Sequence, residues 1–102
     1  EAEAAFAAAG IAYAGQAEDA RRRGDFKIAP IQGKGRTGGS TWQSVARGLS
    51  SVETDYLNGE IALLARLHGV AAPLNVKLAG LARSIAAGQA KPGSFKPEDV
   101  LA

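Results

Sequence analysis

Two long segments with helical periodicity, separated by about four residues, constrain the fold of this chain more than any other feature. Residues 51–68 and 73–87 each carry apolar side chains at spacings of three and four, which indicates a buried stripe. Gly69 is suited to end the first helix and Pro73 to begin the second. Because the connection is short, we predict an antiparallel pair whose first helix is largely buried. The stripes comprise Val52, Tyr56, Leu57, Ile61, Leu63, Leu64 and Leu67 in the first helix and Leu74, Leu78, Leu81 and Ile85 in the second.

Two shorter helices are predicted near the start of the chain. Residues 1–9 are rich in alanine, which favours a helix, and Gly10 follows as a natural terminator. Residues 16–23 begin with acidic side chains and end with three arginines, the arrangement that the helix dipole favours. After residue 88, Pro and Gly permit only a loop and a terminal turn around residues 97–101.

Capping signals precede the remaining helices. Ser40 is placed with Gly39 to cap a short helix over residues 41–47, which would bury Trp42 and Val45. The four residues 50–53 match a capping box, in which the hydroxyl of a serine and the carboxylate of Glu53 satisfy each other's backbone N–H groups. The first long helix should therefore begin at this box.

The segment between the second and third predicted helices admits two interpretations. Residues 26–31 alternate briefly, but Pro30 limits them to an edge strand or an extended link. Residues 32–39 are rich in glycine and basic residues, and their spacing fits G-x-G-x-x-G. A dinucleotide site would need a hydrophobic strand before it and an acidic residue about 20 residues beyond it. Neither is present, so we favour a flexible linker.

Composition excludes several classes of function. The 12 basic and 10 acidic residues give a net charge of only +2, which argues against nucleic-acid binding. The absence of cysteine and the single histidine argue against a metal site. No apolar run reaches the roughly 20 residues that span a membrane, and no signal peptide is evident, so we expect a cytoplasmic protein. Because the chain starts at Glu1 inside a helix, we expect a further segment upstream.

These elements predict one all-α domain of about five helices over residues 1–102. Residues 1–38 would hold two helices and the Gly-rich linker, residues 39–88 the core helices, and residues 89–102 a tail. At this length the chain has room for a single modest core, and not for an additional cofactor domain.

Three segments carry a resemblance to a known family. They read GSTWQSVARG from residue 39, VETDYLNG from residue 52 and LHGVAAPLN from residue 67. Together they resemble the C-terminal domain of ketopantoate reductases, which shows a Ser-rich helix start, a T-E-I-D-Y-L-N-G block and an H-G-V-x-x-P-x-N block. About 40 residues match strongly. The chain departs from the family pattern at residues 43–45, where an acidic residue is frequent, and by one extra residue before Glu53.

The resemblance implies the helical domain of the 6-phosphogluconate-dehydrogenase-like type. In such enzymes NADPH reduces a 2-keto acid to a 2-hydroxy acid in a cleft between this domain and an N-terminal Rossmann domain. The family's proton donor is a Lys on the helix that opens the domain, and no position here matches it; neither Lys27 nor Lys34 takes that role. We therefore assign no catalytic residue, and expect NADPH to bind only together with the Rossmann domain of the same polypeptide.

Three residues match positions of the family's site. Ser40 resembles the serine that hydrogen-bonds the substrate, with Thr41 as the alternative because of the one-residue ambiguity before Glu53. Glu53 resembles the glutamate near the nicotinamide ribose and the catalytic Lys. Each residue also has a purely structural interpretation, Ser40 as a helix cap and Glu53 as half of a capping box. We interpret Asp55, Tyr56 and Asn58 as structural.

Three functions are compatible with these residues, and one of them is that of a different member of the wider superfamily, acting on another 2-keto or 2-hydroxy acid. The first is the C-terminal substrate-binding domain of an NADPH-dependent ketopantoate-type reductase, inactive as an isolated chain. The alternative is a stand-alone helical interaction or dimerisation module without catalytic activity. Both leave an apolar face that favours a homodimer. A reductase domain would bind cofactor and 2-keto acid only with its missing part, whereas a module would bind its partner unaided.

Overall fold

The computed structural model describes residues 1–27, 29, 39–48 and 53–101. These residues form six α-helices and no strand, which confirms the all-α fold class. The helices are α1 (Ala2–Ala8), α2 (Gln16–Arg23), α3 (Ser40–Ala46), α4 (Thr54–Leu67), α5 (Pro73–Ala86) and α6 (Pro97–Leu101). Part of the predicted edge strand or link lies outside the described residues. Residues 32–38 of the Gly-rich segment lie entirely outside them.

Helices α4 and α5 form the predicted antiparallel pair. The side-chain amide of Asn58, in the second turn of α4, donates to that of Asn75, in the first turn of α5, over 3.0 Å. One turn earlier on α4, Asp55 lies 3.4 Å from Arg83, which is two turns later on α5. Residues earlier in α4 therefore contact residues later in α5, as in an antiparallel pair. The positive φ of 70° at Gly69 turns the chain between them, a conformation in which glycine avoids a Cβ clash.

Of the predicted capping pair of α3 only Gly39 is the cap, and the capping box predicted for α4 is wrong where the structure describes it. The N-cap of α3 is Gly39, so Ser40 is the first helical residue, and no side chain caps this end. Glu53 is the N-cap of α4, where a capping box would have made it the third helical residue. Its carbonyl already accepts from the N–H groups of Tyr56 and Leu57, at 2.9 and 3.1 Å. Residues 50–52, which include the other half of the box, lie outside the described residues.

The core of the described residues consists of small side chains. Ala5 of α1 and Ala65 of α4 are fully buried, and Ala72 before α5 joins them, with Leu64 and Val70 packed against this cluster. Alanine lets helix backbones approach closely, so α1 lies directly against α4. The position of the α1–α4 contact determines which face of α4 is buried.

The predicted burial is therefore wrong for four side chains of the α4 stripe, whereas Ile61 and Leu64 are half-buried and Leu64 packs against the core. Val52 lies outside the described residues. Tyr56 is 78% exposed and Leu67 is 69% exposed, and Leu57 and Leu63 are also exposed. The helix turns its alanine-bearing face toward α1 and α5, which leaves much of the leucine-bearing face uncovered. In α3, Trp42 is 54% exposed and likewise contradicts its predicted burial. The apolar periodicity located both helices correctly but not their inner faces.

Glu1 fastens the start of α1 to the start of α5. Its carboxylate accepts the backbone N–H groups of Leu74 and Asn75 at 2.8 and 2.9 Å, and the Asn75 side-chain amide at 2.6 Å. These donors lie in the first turn of α5, where no hydrogen-bond partner exists within the helix. Since Asn75 also accepts from Asn58, one network joins α1, α4 and α5.

The hydrogen bonds determine how Glu1 responds to pH. Desolvation acts to raise the pKa of Glu1, but the N–H groups of Leu74 and Asn75, the Asn75 amide and the α-amino charge together hold it below its ordinary value. When folding lowers the pKa of a carboxyl group, the ionised group stabilises the folded state. This stabilisation is complete at pH values above the pKa of the group in the unfolded chain. That contribution is lost as pH falls through the folded pKa.

Replacing Glu1→Ala should therefore lower the melting temperature at pH 7 and have little effect at pH 2. The control is Glu3→Ala, which removes an exposed carboxylate from the same helix without a hydrogen-bond partner among the described residues. Thermal unfolding monitored by circular dichroism at both pH values measures the difference. An equal effect of the two substitutions at pH 7 would contradict the role of Glu1 as a cap.

Replacing Ala65→Leu should destabilise the fold by about 2 kcal/mol, because overpacking a tight contact forces helices apart. Ala7→Leu, at an exposed position on α1, provides the control and should change stability by less than about 0.5 kcal/mol. Urea unfolding of both variants gives the two free energies. If Ala65→Leu proves neutral, the alanine contact does not set the distance between α1 and α4.

Candidate functional site

The start of α3 presents a hydroxyl and backbone N–H groups that have no hydrogen-bond partner among the described residues. The first backbone hydrogen bond of this helix runs from the Gln43 N–H to the Gly39 carbonyl, at 3.0 Å. The N–H groups of residues 40–42 precede it and make no backbone hydrogen bond among the described residues. Ser40 is exposed and its hydroxyl is not used as a cap. This end of the helix can therefore donate hydrogen bonds to an anionic group.

Thr41, the alternative substrate residue, is half-buried on the first turn of the same helix. Its side chain makes no hydrogen bond among the described residues. The structure thus leaves the choice between Ser40 and Thr41 open, since both hydroxyls are unused. Ser40 is the more accessible of the two.

Glu53 presents a free carboxylate at the start of α4. The residue is exposed, and its side chain makes no capping hydrogen bond. Its backbone fixes its position by accepting the first two helical N–H groups. A carboxylate in this state can accept hydrogen bonds from hydroxyl groups or pair with a cation. Among the described helices α3 has no extensive interface with α4, and no hydrogen bond between described residues joins Ser40 to Glu53.

Thr54 has no predicted role from the sequence, yet it is the one buried polar side chain of the described residues. Only 7% of the residue is exposed, and its Oγ1 has no hydrogen-bond partner. A threonine between two acidic residues carries no sequence signal of burial, because burial here depends on how α4 packs. The unpaired hydroxyl lies directly after Glu53 in the chain.

The other motif residues take structural roles, with one exception. Asn58 and Asn75 hydrogen-bond each other, and Asp55 pairs with Arg83 on the exposed rim of the helix pair. These contacts are the kind expected of residues that hold two helices together. Tyr56 is exposed, so its assignment to the packed stripe is wrong. His68 is an exposed residue at the end of α4 and has no side-chain partner among the described residues.

A groove of about 550 Å³ runs along the α4–α5 pair. Its apolar lining includes Gly59 and Ala62 of α4 and Val76 and Ala79 of α5, and Arg66 and Arg83 also line it. The small side chains make its floor shallow. No local pattern in the sequence predicts this groove, because it depends on the angle at which two helices meet.

Neither a metal cluster nor a membrane span is present in the described part of the chain. Across residues 1–27, 39–48 and 53–101, no group of three His, Cys, Asp or Glu side chains could hold a metal ion. None of the helices in these ranges is long and apolar enough to cross a membrane.

Comparison with protein families identifies the domain. The family model described as "Ketopantoate reductase PanE/ApbA C terminal" matches residues 1–86. The chain belongs to this family. The match extends from α1 to the end of α5 and includes Ser40, Thr41 and Glu53. It confirms the resemblance that the three sequence segments indicate. No match was found among curated proteins or among solved structures.

Family membership extends the similarity beyond the 40 strongly matching residues. The region that joins α1 to α5 through Glu1, Asn58 and Asn75 lies entirely within the match to the ketopantoate reductase C-terminal domain. The role of Glu1 has no signal in the sequence, because no local spacing relates it to residues more than 70 positions away. Only the tail after residue 86, including α6, lies outside the match.

Replacing Thr54→Val should stabilise this domain by about 1 kcal/mol, since it removes an unpaired buried hydroxyl and keeps the side-chain shape. Thr54→Ser serves as the control, because it keeps the hydroxyl and removes a methyl group, and it should be destabilising. Chemical denaturation of the variants gives the comparison. A loss of stability in Thr54→Val would show that the hydroxyl has a partner in solution.

Proposed function

We propose that this chain is the substrate-binding helical domain of an NADPH-dependent reductase that converts a 2-keto acid of the ketopantoate type to its 2-hydroxy acid. The match of residues 1–86 to the ketopantoate reductase C-terminal family is the observation that carries the proposal. The free hydroxyl groups and N–H donors at α3 and the free carboxylate of Glu53 support it. The proposal retains the cytoplasmic location expected from the sequence.

In this proposal the start of α3 binds the substrate. A 2-keto acid carries a carboxylate next to a carbonyl, and both are hydrogen-bond acceptors. The hydroxyl of Ser40 or Thr41 donates to one of them, and the unpaired N–H groups of residues 40–42 favour the negative charge. Binding of this kind orients the carbonyl carbon for reduction and holds the substrate against the domain.

Glu53 fits a role beside the cofactor. Its carboxylate is exposed and uncommitted among the described residues, so it can accept hydrogen bonds from a ribose or stabilise a protonated lysine. Bound NADPH supplies the hydride that reduces the carbonyl. The Rossmann domain of the same polypeptide would hold the dinucleotide, and a Lys outside these residues would donate the proton to the carbonyl oxygen.

The test uses the complete polypeptide encoded by the gene that contains this domain. Oxidation of NADPH in the presence of ketopantoate should be measured by the loss of absorbance of the reduced nicotinamide. Ser40→Ala should raise the KM for the 2-keto acid about 10-fold, as expected for a lost hydrogen bond to a charged group. Glu53→Gln should mainly raise the KM for NADPH, also by about 10-fold.

A control variant and a variant of the alternative residue identify which hydroxyl binds the substrate. Ser44→Ala removes a hydroxyl one turn later on α3 and should leave both KM values unchanged. Thr41→Val distinguishes the two alternatives, since a larger effect than that of Ser40→Ala would transfer the substrate role to Thr41. No oxidation of NADPH with ketopantoate or related 2-keto acids would refute the proposed activity.

The exposed apolar surface of α4 supports the alternative of an interaction module. Tyr56, Leu63 and Leu67 are large apolar side chains that the described residues leave uncovered. A module would bind a partner through them with no effect of Ser40→Ala or Glu53→Gln. The Ser40→Ala and Glu53→Gln variants therefore distinguish the reductase domain from the interaction module.

A further inference from the structure

Tyr56, in the first turn of α4, is the most exposed large apolar residue in the described part of the chain. It is 78% exposed, and its hydroxyl makes no hydrogen bond among the described residues. A tyrosine ring offers a flat apolar face together with a polar edge. Because this ring is almost uncovered, it contributes little to the packing of the domain and is available to contact a ligand.

The first turn of α4 holds Tyr56 next to Glu53. The backbone N–H of Tyr56 donates to the carbonyl of Glu53 over 2.9 Å. Side chains three residues apart on a helix are neighbours, with Cβ atoms about 5–6 Å from each other. Long side chains in a helix also lean toward its N-terminus, so the ring of Tyr56 leans over the turn that begins at Glu53. The carboxylate and the ring therefore form one exposed surface, which we call the Glu53–Tyr56 patch.

We propose that Tyr56 is a further cofactor-contacting residue, whose ring stacks on the nicotinamide while Glu53 accepts hydrogen bonds from the adjoining ribose. This role rests on the proposed function, in which Glu53 lies beside the cofactor. A nucleoside presents hydroxyl groups on its sugar and a flat face on its base. Carboxylates accept hydrogen bonds from ribose hydroxyls, and aromatic side chains stack on bases. The Glu53–Tyr56 patch supplies both groups one helical turn apart.

The charges around Tyr56 favour the nicotinamide end of the cofactor over its adenosine end. Glu60 is exposed one turn after Tyr56, and neither Glu53 nor Glu60 forms an ion pair within the described part of the chain. Tyr56 therefore lies between two carboxylates. The adenosine ribose of NADPH carries an additional phosphate, which these carboxylates would repel. The nicotinamide ring is uncharged when reduced and positive when oxidised, so the same carboxylates do not oppose it.

The helix surface next to Tyr56 leaves room for a flat ring. Gly59, three residues later, carries no side chain. A Cβ built on Gly59 would meet only atoms of Thr54 and Asp55 within 4 Å, at 3.8 and 3.9 Å. Both residues belong to the first turn of the same helix, so no other described helix covers this surface. A base stacked on Tyr56 would therefore meet no side chain from position 59.

The experiment measures the dissociation constant of NADPH on the complete polypeptide encoded by the gene that contains this domain. Titration is followed by the fluorescence of the reduced nicotinamide, in the absence of any 2-keto acid. Tyr56→Ser should weaken NADPH binding by about 10-fold, because it removes one stacking contact between a base and an aromatic ring. Tyr56→Phe keeps the ring and should bind NADPH nearly as well as the parent.

A cofactor analogue that lacks the nicotinamide locates the contact. The analogue 2′-phospho-ADP-ribose keeps the adenosine end and the second ribose, and its affinity is measured by competition with NADPH. Tyr56→Ser should leave this affinity unchanged. The control Leu67→Ser replaces another exposed apolar side chain of α4, three turns further on, and should change neither dissociation constant. Thermal unfolding of Tyr56→Ser should match that of the parent, as expected for an exposed side chain.

Three outcomes would overturn the role of Tyr56. They are an unchanged NADPH affinity in Tyr56→Ser, a Tyr56→Phe variant that binds as weakly as Tyr56→Ser, and an equal loss of affinity for NADPH and for the analogue. A parent polypeptide that binds NADPH without reducing a 2-keto acid would refute the proposed activity, and the titrations would still decide the role of Tyr56. A parent that does not bind NADPH would refute both.

Discussion

The close contact of alanines between α1 and the α4–α5 pair is the constraint on which the described structure depends. Ala5 and Ala65 are fully buried, and Ala72 completes the cluster at the start of α5. Small side chains bury little apolar area each, but they allow backbones to approach closely. The hydrogen bonds of Glu1 to the first turn of α5 hold the same three helices at their ends. The alanine packing and the hydrogen bonds of Glu1 therefore hold together the same three helices, α1, α4 and α5.

This packing has a consequence for the surface. Because α4 turns its small residues inward, Tyr56 and Leu67 remain exposed, and a shallow groove forms beside them. Uncovered apolar surface of this extent is typical of contacts with another chain or domain. The candidate site lies at the starts of α3 and α4, where Ser40 and Glu53 present free side chains. The helices thus carry both the candidate functional groups and the uncovered apolar side chains.

Much of the fold was predictable because helix boundaries are set by local chemistry. The predicted bounds of α2 agree with the structure, Pro73 begins α5 as expected, and the glycines at positions 10, 69 and 88 adopt positive φ after helices. The predictions failed for features that depend on how the helices pack against each other. Ser40 is not the cap of α3, because Gly39 takes that place. The predicted burial of Tyr56, Leu57, Leu63 and Leu67 in the α4 stripe failed, because periodicity indicates an apolar face without saying which neighbour covers it.

The sequence by itself determined the helical class, the antiparallel pair and the family, since these depend on periodicity, turn residues and motifs that lie close together in the chain. It also supplied Ser40, Thr41 and Glu53 as candidate residues through the family resemblance. Only the tertiary structure decided that Glu1 caps α5 and that Thr54 is buried with an unpaired hydroxyl. It also decided that large apolar side chains of α4 are exposed beside a groove. These features join residues far apart in the chain or depend on the rotation of one helix against another, and neither is encoded in local spacing.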